Sequence, residues 1–330
     1  MRIAILTTSY PREPGDAAGH FVETEAMHLA AEGHRVHVIA PGRRGTRDDG
    51  CGVTVWGAGG GSLFGSPGAL SRARERPWRL LELLSFGLRV RRIFSKLAPF
   101  DRTIAHFVVP CGYPLASKVD SELEVVLHGS DVRLLLALPM PMRRHVVRQL
   151  LAAAARFRFS AEDLRSSLLS ALAPKEREQL RGASMVELPP LALPAHWQRE
   201  RVGGPASGET PQWVVCARLI ASKRVDLAIR EAARQGADLT VIGEGPLRAQ
   251  LEKFAASFER PACFVGQVPR DKALSLIARA NRLVHLSEAE GAPTVIREAR
   301  ALGVPVLATP VGDVERWAEL DPGIEIFRHT

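Results

Sequence analysis

The amino-acid sequence predicts an α/β protein built from two doubly wound domains in tandem, each with a parallel sheet covered by helices. Short apolar runs alternate with amphipathic helical patterns along nearly all of its 330 residues, a length that suffices for about two domains. One stretch rich in proline, glycine and charge, residues 189–212, interrupts that alternation. The composition, 46% hydrophobic and 24% charged, is that of a folded globular protein.

The N-terminal part begins with a strand–helix–strand unit. The run Arg2–Ser9 predicts a buried strand, His20–Gly33 has apolar residues at helical spacing and ends on glycine, and His34–Pro41 is apolar again. Such a unit implies parallel strands with both faces of the sheet covered. Further apolar runs predict strands at Gly52–Ala58, Thr103–Phe107 and Glu124–Gly129.

A second alternating series follows the proline- and glycine-rich stretch, where we place the junction between domains 1–195 and 196–330. Because ligands of doubly wound sheets bind at the carboxyl ends of strands, we expect the functional site in a cleft between the two domains. The strands predicted in this series are Trp213–Leu219, Asp238–Gly243, Cys263–Gly266, Arg282–Ser287 and Val304–Thr309.

The formal net charge of +8 comes mostly from arginine and favours a negatively charged partner, such as a phosphate, an anionic membrane or nucleic acid. Nucleic acid is the least favoured, because aromatic residues are few and no recognisable nucleic-acid module occurs. Four widely spaced cysteines predict reduced thiols and a cytoplasmic protein. The N-terminal apolar run predicts a strand and no signal peptide, and no apolar stretch is long enough to predict a transmembrane helix.

The stretch Ser71–Pro99 is strongly basic, with seven arginines and one lysine against two glutamates, interleaved with Trp78 and with leucines and phenylalanines. A basic amphipathic helix of this kind can lie on an anionic membrane surface, which would make the protein peripheral at the inner face of the membrane. The alternative is a crossover helix whose basic face is simply solvated.

A glycine-containing loop joins the first predicted strand to the first helix. Gly19 there permits a close backbone approach, and the helix N-terminus offers free N–H groups to an anion. The spacing fits neither a Walker loop nor Gly-x-Gly-x-x-Gly, so a plain turn is the alternative.

Two histidines close successive predicted strands. His106 lies at the end of the apolar run in "TIAHF". His128 lies at the end of the apolar run in "VVLHGSD", three residues before Asp131. Functional side chains of this fold class lie at strand carboxyl ends, which favours a functional role for the pair. A lone histidine, however, is more often structural.

Basic and acidic residues recur at the strand ends of the second series. Arg218 ends one strand and Lys223 follows five residues later, which places two cations where an anionic ligand would lie. The alternative is two exposed surface cations. In "EGAPTVIREA", Glu290 is predicted in a strand-to-helix loop and Glu298 within the helix, inside an apolar run where an unpaired charge is costly.

Taken together, these segments resemble a family 4 glycosyltransferase of the GT-B type, one of the glycosyl transferases group 1. The resemblance covers nearly the whole chain and is densest in its C-terminal half. It implies two tandem Rossmann-like domains whose parallel sheets face an interdomain cleft. The segments that carry it are "AAGHFVETEAMHLAAEGHRVHVIAP", "TIAHF", "LHGSD", "ARLIASKR", "GEGP", "FVGQV" and "EGAPTVIREARALGVPVLAT".

The resemblance implies that the C-terminal domain binds a nucleotide-sugar donor and the N-terminal domain an acceptor. Arg218 and Lys223 match the basic pair that holds the donor diphosphate, and Glu298 matches the glutamate that bonds the ribose hydroxyls. Glu290 matches the glutamate that contacts the transferred sugar and stabilises positive charge at its anomeric carbon. His128 matches a histidine near the reacting carbon, so the implied catalytic residues are His128, Glu290, Arg218 and Lys223.

The other implied contacts surround donor and acceptor. Gly19 matches a glycine whose amide approaches the diphosphate, and Gly243 opens the donor-side "GEGP" loop. His106 and Asp131 are assigned to the acceptor side. The loop that supplies amides to the donor phosphate and sugar consists of Gly291, Ala292, Pro293, Thr294 and Val295.

The resemblance also implies retention of the anomeric configuration by front-face attack, with a donor phosphate oxygen taking the acceptor proton. No Asp-x-Asp occurs, so we expect no metal and no cofactor. Three positions depart from the family pattern: Ala18 replaces a paired glycine, Ala292 replaces an aromatic residue, and the sequence stops at Thr330, before the helices with which relatives normally close the cleft.

The predicted function is transfer of a hexose or hexosamine from a UDP- or GDP-sugar to a glycan, a lipid-linked saccharide or a small molecule. One alternative is a relative that binds a sugar nucleotide or a glycan without turnover. Another is a different GT-B sugar-nucleotide enzyme such as an epimerase, although no separate acid–base motif for it is evident.

Overall fold

The structure, a computed structural model, describes residues 1–13, 16, 18–50, 52–64, 69–193 and 210–328. It separates into an N-terminal unit, Met1–Pro190, and a C-terminal unit, Leu191–Thr330. The domain junction predicted between 195 and 196 lies outside the described residues. Cys111, Cys216 and Cys263 are free thiols, and Cys51 lies outside the described residues.

The N-terminal unit is built on an eight-stranded sheet in the order β3-β4-β2-β1-β5-β6-β7-β8. All neighbouring strands are parallel except β3 and β4, which are antiparallel. The strands are β1 (Arg2–Leu6), β2 (Arg35–Ala40), β3 (Gly42–Gly50), β4 (Val53–Gly59), β5 (Arg102–His106), β6 (Glu122–Leu127), β7 (Arg156–Phe159) and β8 (Ser184–Val186).

Five of these strands, β1, β2, β4, β5 and β6, confirm the sequence predictions. The other three carry little signal: β3 reads "GRRGTRDDG" and is almost entirely polar, while β7 and β8 have only four and three residues. Such strands exist because a neighbouring strand pairs with them, which their own sequence does not encode.

Helices cover this sheet. They are α1 (His20–Ala31), α2 (Ala69–Glu75), α3 (Leu81–Leu97), α4 (Ser130–Ala137), α5 (Met140–Ala152), α6 (Glu162–Ser170) and α7 (Pro174–Gly182). The basic stretch 71–99 was expected to form one amphipathic helix, which is wrong. It is divided into α2, a tight helical turn at Pro77–Leu80, and α3. Pro77 explains the break, since proline lacks the N–H that a helix interior needs.

One buried apolar cluster of this unit lies between β1 and α1. Ile3 and Ile5 on β1 are completely buried and cluster with Val22 and Ala26 of α1. From β1 the chain continues to β2 on one side of the sheet and later returns to β5 on the other. The topological switch point is therefore at the carboxyl ends of β1 and β5, where a doubly wound sheet leaves a crevice.

The C-terminal unit is a six-stranded, entirely parallel sheet in the order β11-β10-β9-β12-β13-β14. Its switch point lies between β9 and β12. All five predicted strands are confirmed, and β14, with three residues, is additional. The strands are β9 (Gln212–Cys216), β10 (Asp238–Ile242), β11 (Cys263–Gly266), β12 (Arg282–His285), β13 (Val306–Ala308) and β14 (Ile324–Ile326).

Two apolar clusters, one centred on Ile229 and Val241 and one on Ile277 and Ile296, cover this sheet. Strands buried in this way read as continuous apolar runs, which is why the sequence predicted them well. The helices are α8 (Val225–Arg234), α9 (Arg248–Ala255), α10 (Arg270–Ala278), α11 (Thr294–Ala301) and α12 (Val314–Leu320). None of the helices in the described part of either unit is long and apolar enough to cross a membrane.

Candidate functional site

The switch point of the C-terminal unit brings together a lysine, a histidine and a glutamate. Lys223 follows β9, and its Nζ forms an ion pair with Oε1 of Glu290, in the loop after β12. His285, the last residue of β12, places Nε2 3.0 Å from the same oxygen. The structure thus joins the predicted residues Lys223 and Glu290. Sequence reasoning missed His285, whose signal was a histidine at a strand carboxyl end.

Glu290 is held as a carboxylate. Burial acts to raise its pKa, but the hydrogen bond from His285 and the charge of Lys223 together outweigh burial and lower the pKa well below its usual value. A carboxylate accepts and cannot donate, so Nε2 of His285 carries the proton of this bond. The result is a fixed negative charge beside a cation, at the edge of the sheet where ligands bind.

Glu298, on the second turn of α11, is buried and paired with Arg270 at the start of α10. Nη2 and Nε of Arg270 lie 2.7 and 3.2 Å from Oε1 of Glu298, and Nη2 also donates to the carbonyl of Ala192 at 2.8 Å. The sequence located Glu298 but missed its partner. The cost of burying an unpaired charge in an apolar run required a cation nearby, although nothing local indicated which one.

Arg218 is exposed in the loop that directly follows β9. The Gly243 loop packs against this loop: Gly243 has φ 134°, and a Cβ there would lie 1.9 Å from the carbonyl oxygen of Ala217. The Gly243 amide donates to the carbonyl of Gly266 at 2.9 Å. Close backbone packing is thus one physical reason for glycine at 243, and it supports the position of the Arg218 loop.

The loop Gly291–Val295 leads into α11, which begins at Thr294. Gly291 is buried, and its carbonyl accepts the Asp313 amide at 3.3 Å. Pro293 is also buried, whereas Ala292, Thr294 and Val295 are partly exposed. The first turn of a helix leaves its N–H groups without intrahelical partners, so this loop presents donors at the same sheet edge as Lys223.

In the N-terminal unit, His106 and His128 contact each other. Nδ1 of His106 lies 2.9 Å from Nε2 of His128, and the rings stack with centroids 5.2 Å apart. The rings of Phe21 and Phe107 pack against His128 at 4.7 and 5.1 Å. Because β5 and β6 are adjacent and parallel, His106 at the end of β5 and His128 directly after β6 meet at one edge of the sheet, as the sequence predicted.

Asp131 accepts hydrogen bonds from the loops that follow these two strands. Its Oδ1 accepts the amides of His128 and Gly129, both at 3.0 Å, and its Oδ2 accepts the amide of Val108 at 3.0 Å. The carboxylate therefore holds the backbone of His128 in place, and any contact between Asp131 and an acceptor stays a prediction.

Gly19 immediately precedes α1, with φ 76°. A Cβ at this position would lie 2.5 Å from the carbonyl carbon of Ser9 and from the amide nitrogen of Tyr10. Only glycine meets both demands, because other residues are strained at this φ and would collide with the backbone. The amide of the neighbouring Ala18 donates to Asp16 at 2.9 Å.

A buried charge network lies behind the two histidines, and sequence reasoning missed it. Arg158 on β7 forms ion pairs with Glu25 on α1 and, with Nε 2.6 Å from Oε1, with Glu124 on β6. Glu124 also pairs with Arg102 on β5. Charged residues within buried strands predict such partners in general, but the partners come from four separate elements.

Within the described residues, no group of three or more histidine, cysteine, aspartate or glutamate side chains is placed to hold a metal ion. The expectation that no metal is needed stays a prediction.

The architecture is that of the GT-B glycosyltransferases. Sucrose-phosphate synthase from Thermosynechococcus elongatus superposes with a TM-score of 0.69 at 17% identity, over 98% of this chain and 85% of that one. HepE from Anabaena, solved with UDP-glucose, superposes with a TM-score of 0.60 at 16% identity, over 96% of this chain and 82% of that one. The predicted GT-B fold is confirmed.

The sequence of the C-terminal unit points in the same direction. Residues 198–318 match the family described as glycosyl transferases group 1. The putative teichuronic acid biosynthesis glycosyltransferase TuaC of Bacillus subtilis (strain 168) is 32% identical over 119 residues, which are 35% of this chain. The matched part spans 28% of that relative.

Proposed function

We propose that the protein is a retaining family 4 glycosyltransferase that moves a hexose or hexosamine from a UDP- or GDP-sugar to a glycan, a lipid-linked saccharide or a small-molecule acceptor. The observation that carries this proposal is the Lys223–Glu290–His285 cluster at the switch point of the C-terminal unit, within the segment that matches group 1 glycosyltransferases. We assign the donor to the C-terminal unit and the acceptor to the N-terminal unit.

In the proposed donor complex, Arg218 and Lys223 neutralise the diphosphate, and the amides of the Gly291–Val295 loop donate to its oxygens. Glu298 accepts hydrogen bonds from the ribose hydroxyls, and Arg270 holds its carboxylate in position. Lys223 already pairs with Glu290. An arriving diphosphate would therefore compete for the ammonium group and draw the donor toward the carboxylate.

The reaction breaks the bond between the anomeric carbon and the diphosphate oxygen, and the electron pair leaves with the diphosphate. The developing negative charge is stabilised by Arg218, Lys223 and the helix amides. The Glu290 carboxylate stabilises the positive charge that grows at the sugar. The acceptor hydroxyl attacks from the same face and gives its proton to the departing phosphate oxygen. The Gly19 amide approaches the diphosphate, His128 lies near the reacting carbon, and His106 and Asp131 serve the acceptor side. No step uses a metal or a cofactor.

The decisive experiment incubates the protein with radiolabelled UDP- and GDP-sugars. Transfer of label, or slow donor hydrolysis that releases nucleoside diphosphate, is the expected result. Tight donor binding without either product would instead identify a sugar-nucleotide binding protein, and an isomerised donor without release would identify an epimerase. The UDP-sugars are tried first, because HepE was solved with UDP-glucose.

We further propose a peripheral location at the cytoplasmic face of an anionic membrane. On α3, Leu81, Leu84 and Leu88 recur at helical spacing and are 68%, 70% and 63% exposed, and the preceding turn exposes Trp78 and Leu80. Arg76, Arg91, Arg92 and Lys96 of the same stretch are exposed as well. Contiguous apolar side chains among cations suit insertion between anionic lipid headgroups.

Flotation with vesicles of phosphatidylcholine, with and without phosphatidylglycerol, tests this location. We expect binding only to the anionic vesicles, and we expect Leu84→Glu with Leu88→Glu to abolish it. Leu320→Glu is the matched control, because Leu320 is a 78% exposed leucine on α12 of the other unit. A protein that stays unbound at low salt would show that the basic stretch is a solvated face.

A further inference from the structure

Among the buried side-chain polar atoms that lack a hydrogen-bond partner in the described part of the N-terminal unit, two lie close to each other. They are Oε2 of Glu25 and Nε2 of His106, 3.6 Å apart. The other ring nitrogen of His106 lies 2.9 Å from Nε2 of His128. A buried polar group without a partner is costly, and a small approach across this 3.6 Å gap would let one hydrogen bond satisfy both atoms.

We propose that Glu25 and His106 act as positioning residues that set the tautomer of His128, leaving its Nδ1 as a bare hydrogen-bond acceptor for a substrate hydroxyl. The use of that acceptor in glycosyl transfer rests on the proposed function. The relay itself rests only on the contacts among Glu25, His106 and His128.

The direction of each bond follows from the first one. Oε1 of Glu25 accepts from Nη2 of Arg158, which favours an ionised carboxylate. A carboxylate only accepts, so Nε2 of His106 carries a proton and Nδ1 of His106 accepts. Nε2 of His128 must then donate to it, and a neutral imidazole with its proton on Nε2 has an unprotonated Nδ1.

Both rings are neutral at physiological pH, which makes the pattern complete. Burial, with the charge of Arg158, lowers the pKa of His106 to about 3. Burial also lowers the pKa of His128 well below its ordinary value, assisted by His106 and Arg158. A neutral histidine has one donor and one acceptor nitrogen, so the direction of the hydrogen bond at one nitrogen fixes the direction at the other.

The protonation state of Glu25 sets the direction of the hydrogen bonds among Glu25, His106 and His128. Burial raises its pKa, and Arg158 opposes that rise. The other charged groups around it are Glu124 on β6 and Arg102 on β5. If Glu25 is protonated, it donates to His106, both rings reverse, and Nδ1 of His128 becomes a donor. The relay therefore predicts that Nδ1 of His128 stops accepting a hydrogen bond from the acceptor and begins to donate one as pH falls through the raised pKa of Glu25.

The substitution Glu25→Gln should reverse the direction of both hydrogen bonds in the relay while keeping the shape of the side chain. In Glu25→Gln, Arg158 still needs an acceptor, so the amide oxygen keeps the place of Oε1 and the NH₂ group takes the place of Oε2. That group donates to Nε2 of His106. We expect both histidines to change to the Nδ1-protonated tautomer. Glu124→Gln is the matched control, because it removes the other carboxylate of Arg158 and leaves the Glu25–His106 contact in place.

The test is ¹⁵N NMR of histidine-labelled, ligand-free protein, in which protonated and bare ring nitrogens resonate far apart. We expect bare Nδ1 atoms on His106 and His128 in the unsubstituted protein and in Glu124→Gln, and reversed tautomers in Glu25→Gln. A proton on Nδ1 of His128 in the unsubstituted protein overturns the proposal, whether or not the variants fold. So does an unchanged His128 tautomer in a folded Glu25→Gln protein.

A transfer assay then separates the relay from the proposed function. We expect Glu25→Gln to lower kcat by about 100-fold with donor affinity unchanged, which is the size of the loss when one preorganised hydrogen bond to the transition state is removed. If the unsubstituted protein transfers no sugar, the proposed function fails while the NMR result still decides the relay. If transfer is normal in a Glu25→Gln protein with reversed tautomers, the catalytic use of Nδ1 is overturned.

Discussion

Nε2 of His285 lies 3.0 Å from Oε1 of Glu290, the same carboxylate oxygen that Lys223 contacts. Both donors come from elements that flank the switch point, His285 from the end of β12 and Lys223 from the turn after β9. Two donors on one oxygen fix the carboxylate before any ligand arrives, which is the preorganisation that stabilises charge in a transition state.

Replacing His285 should therefore lower activity through Glu290. We expect His285→Leu to reduce kcat about tenfold, and the acid limb of the pH–rate profile to move to higher pH, because the lost hydrogen bond lets the Glu290 pKa rise. His285→Gln keeps an N–H donor and should restore most of the rate. Equal losses in both variants, with no change in the profile, would show that His285 only packs.

Glu298→Ala should abolish donor binding, because the carboxylate is the proposed acceptor for both ribose hydroxyls and charged hydrogen bonds contribute about 1.5–3 kcal/mol each. Isothermal titration calorimetry with UDP and GDP measures the nucleotide affinity of this variant. Glu231→Ala is the control, since Glu231 is also a buried, arginine-paired glutamate of the C-terminal unit. Unchanged nucleotide affinity in Glu298→Ala would remove α11 from the site.

Arg218→Ala should strongly weaken nucleoside diphosphate binding, and high salt should diminish the difference from the unsubstituted protein, because the contact is electrostatic. Arg234→Ala provides the comparison. Arg234 is exposed at the end of α8, about 15 Å along the helix from the turn that holds Lys223. Calorimetry that finds equal affinities for the two variants would contradict the assignment of Arg218.

Gly19→Ala should cost several kcal/mol, far more than Gly33→Ala, although both glycines have positive φ. At Gly33 a Cβ meets nothing within 4 Å, so only the conformational cost of about 1–2 kcal/mol applies. At Gly19 the Cβ collides with the backbone of Ser9 and Tyr10. Urea unfolding measures the free energy of unfolding of both variants. Similar losses would show that the loop relaxes and that the close approach is not required.

Stability should fall as pH is lowered from 6.5 toward 5. The pKa of His106 is about 3 in the folded protein against 6.5 when unfolded, so the unfolded chain binds protons first in this window. Each unit of difference corresponds to about 1.4 kcal/mol. The raised pKa of Glu25 acts in the opposite direction. Thermal unfolding of His106→Gln should depend less on pH, whereas His28→Gln, at an exposed position, should behave like the unsubstituted protein.

The sequence by itself determined the two parallel-sheet units and most of the residues at their carboxyl edges. Buried parallel strands are continuous apolar runs, and the positions of His106, His128, Lys223 and Glu290 at strand ends follow from those runs. This information is local in the chain, so periodicity and turn residues are sufficient to read it.

Only the tertiary structure decided the partners. Arg270 approaches Glu298, His285 and Lys223 approach one oxygen of Glu290, and Glu25 approaches His106. These contacts join residues that are as many as 81 positions apart in the chain. Local sequence cannot specify such pairs, because several cations could satisfy each buried carboxylate. Strand order and packing select one. The polar strand β3 and the short strands β7 and β8 exist for the same reason, because a neighbouring strand completes their hydrogen bonds.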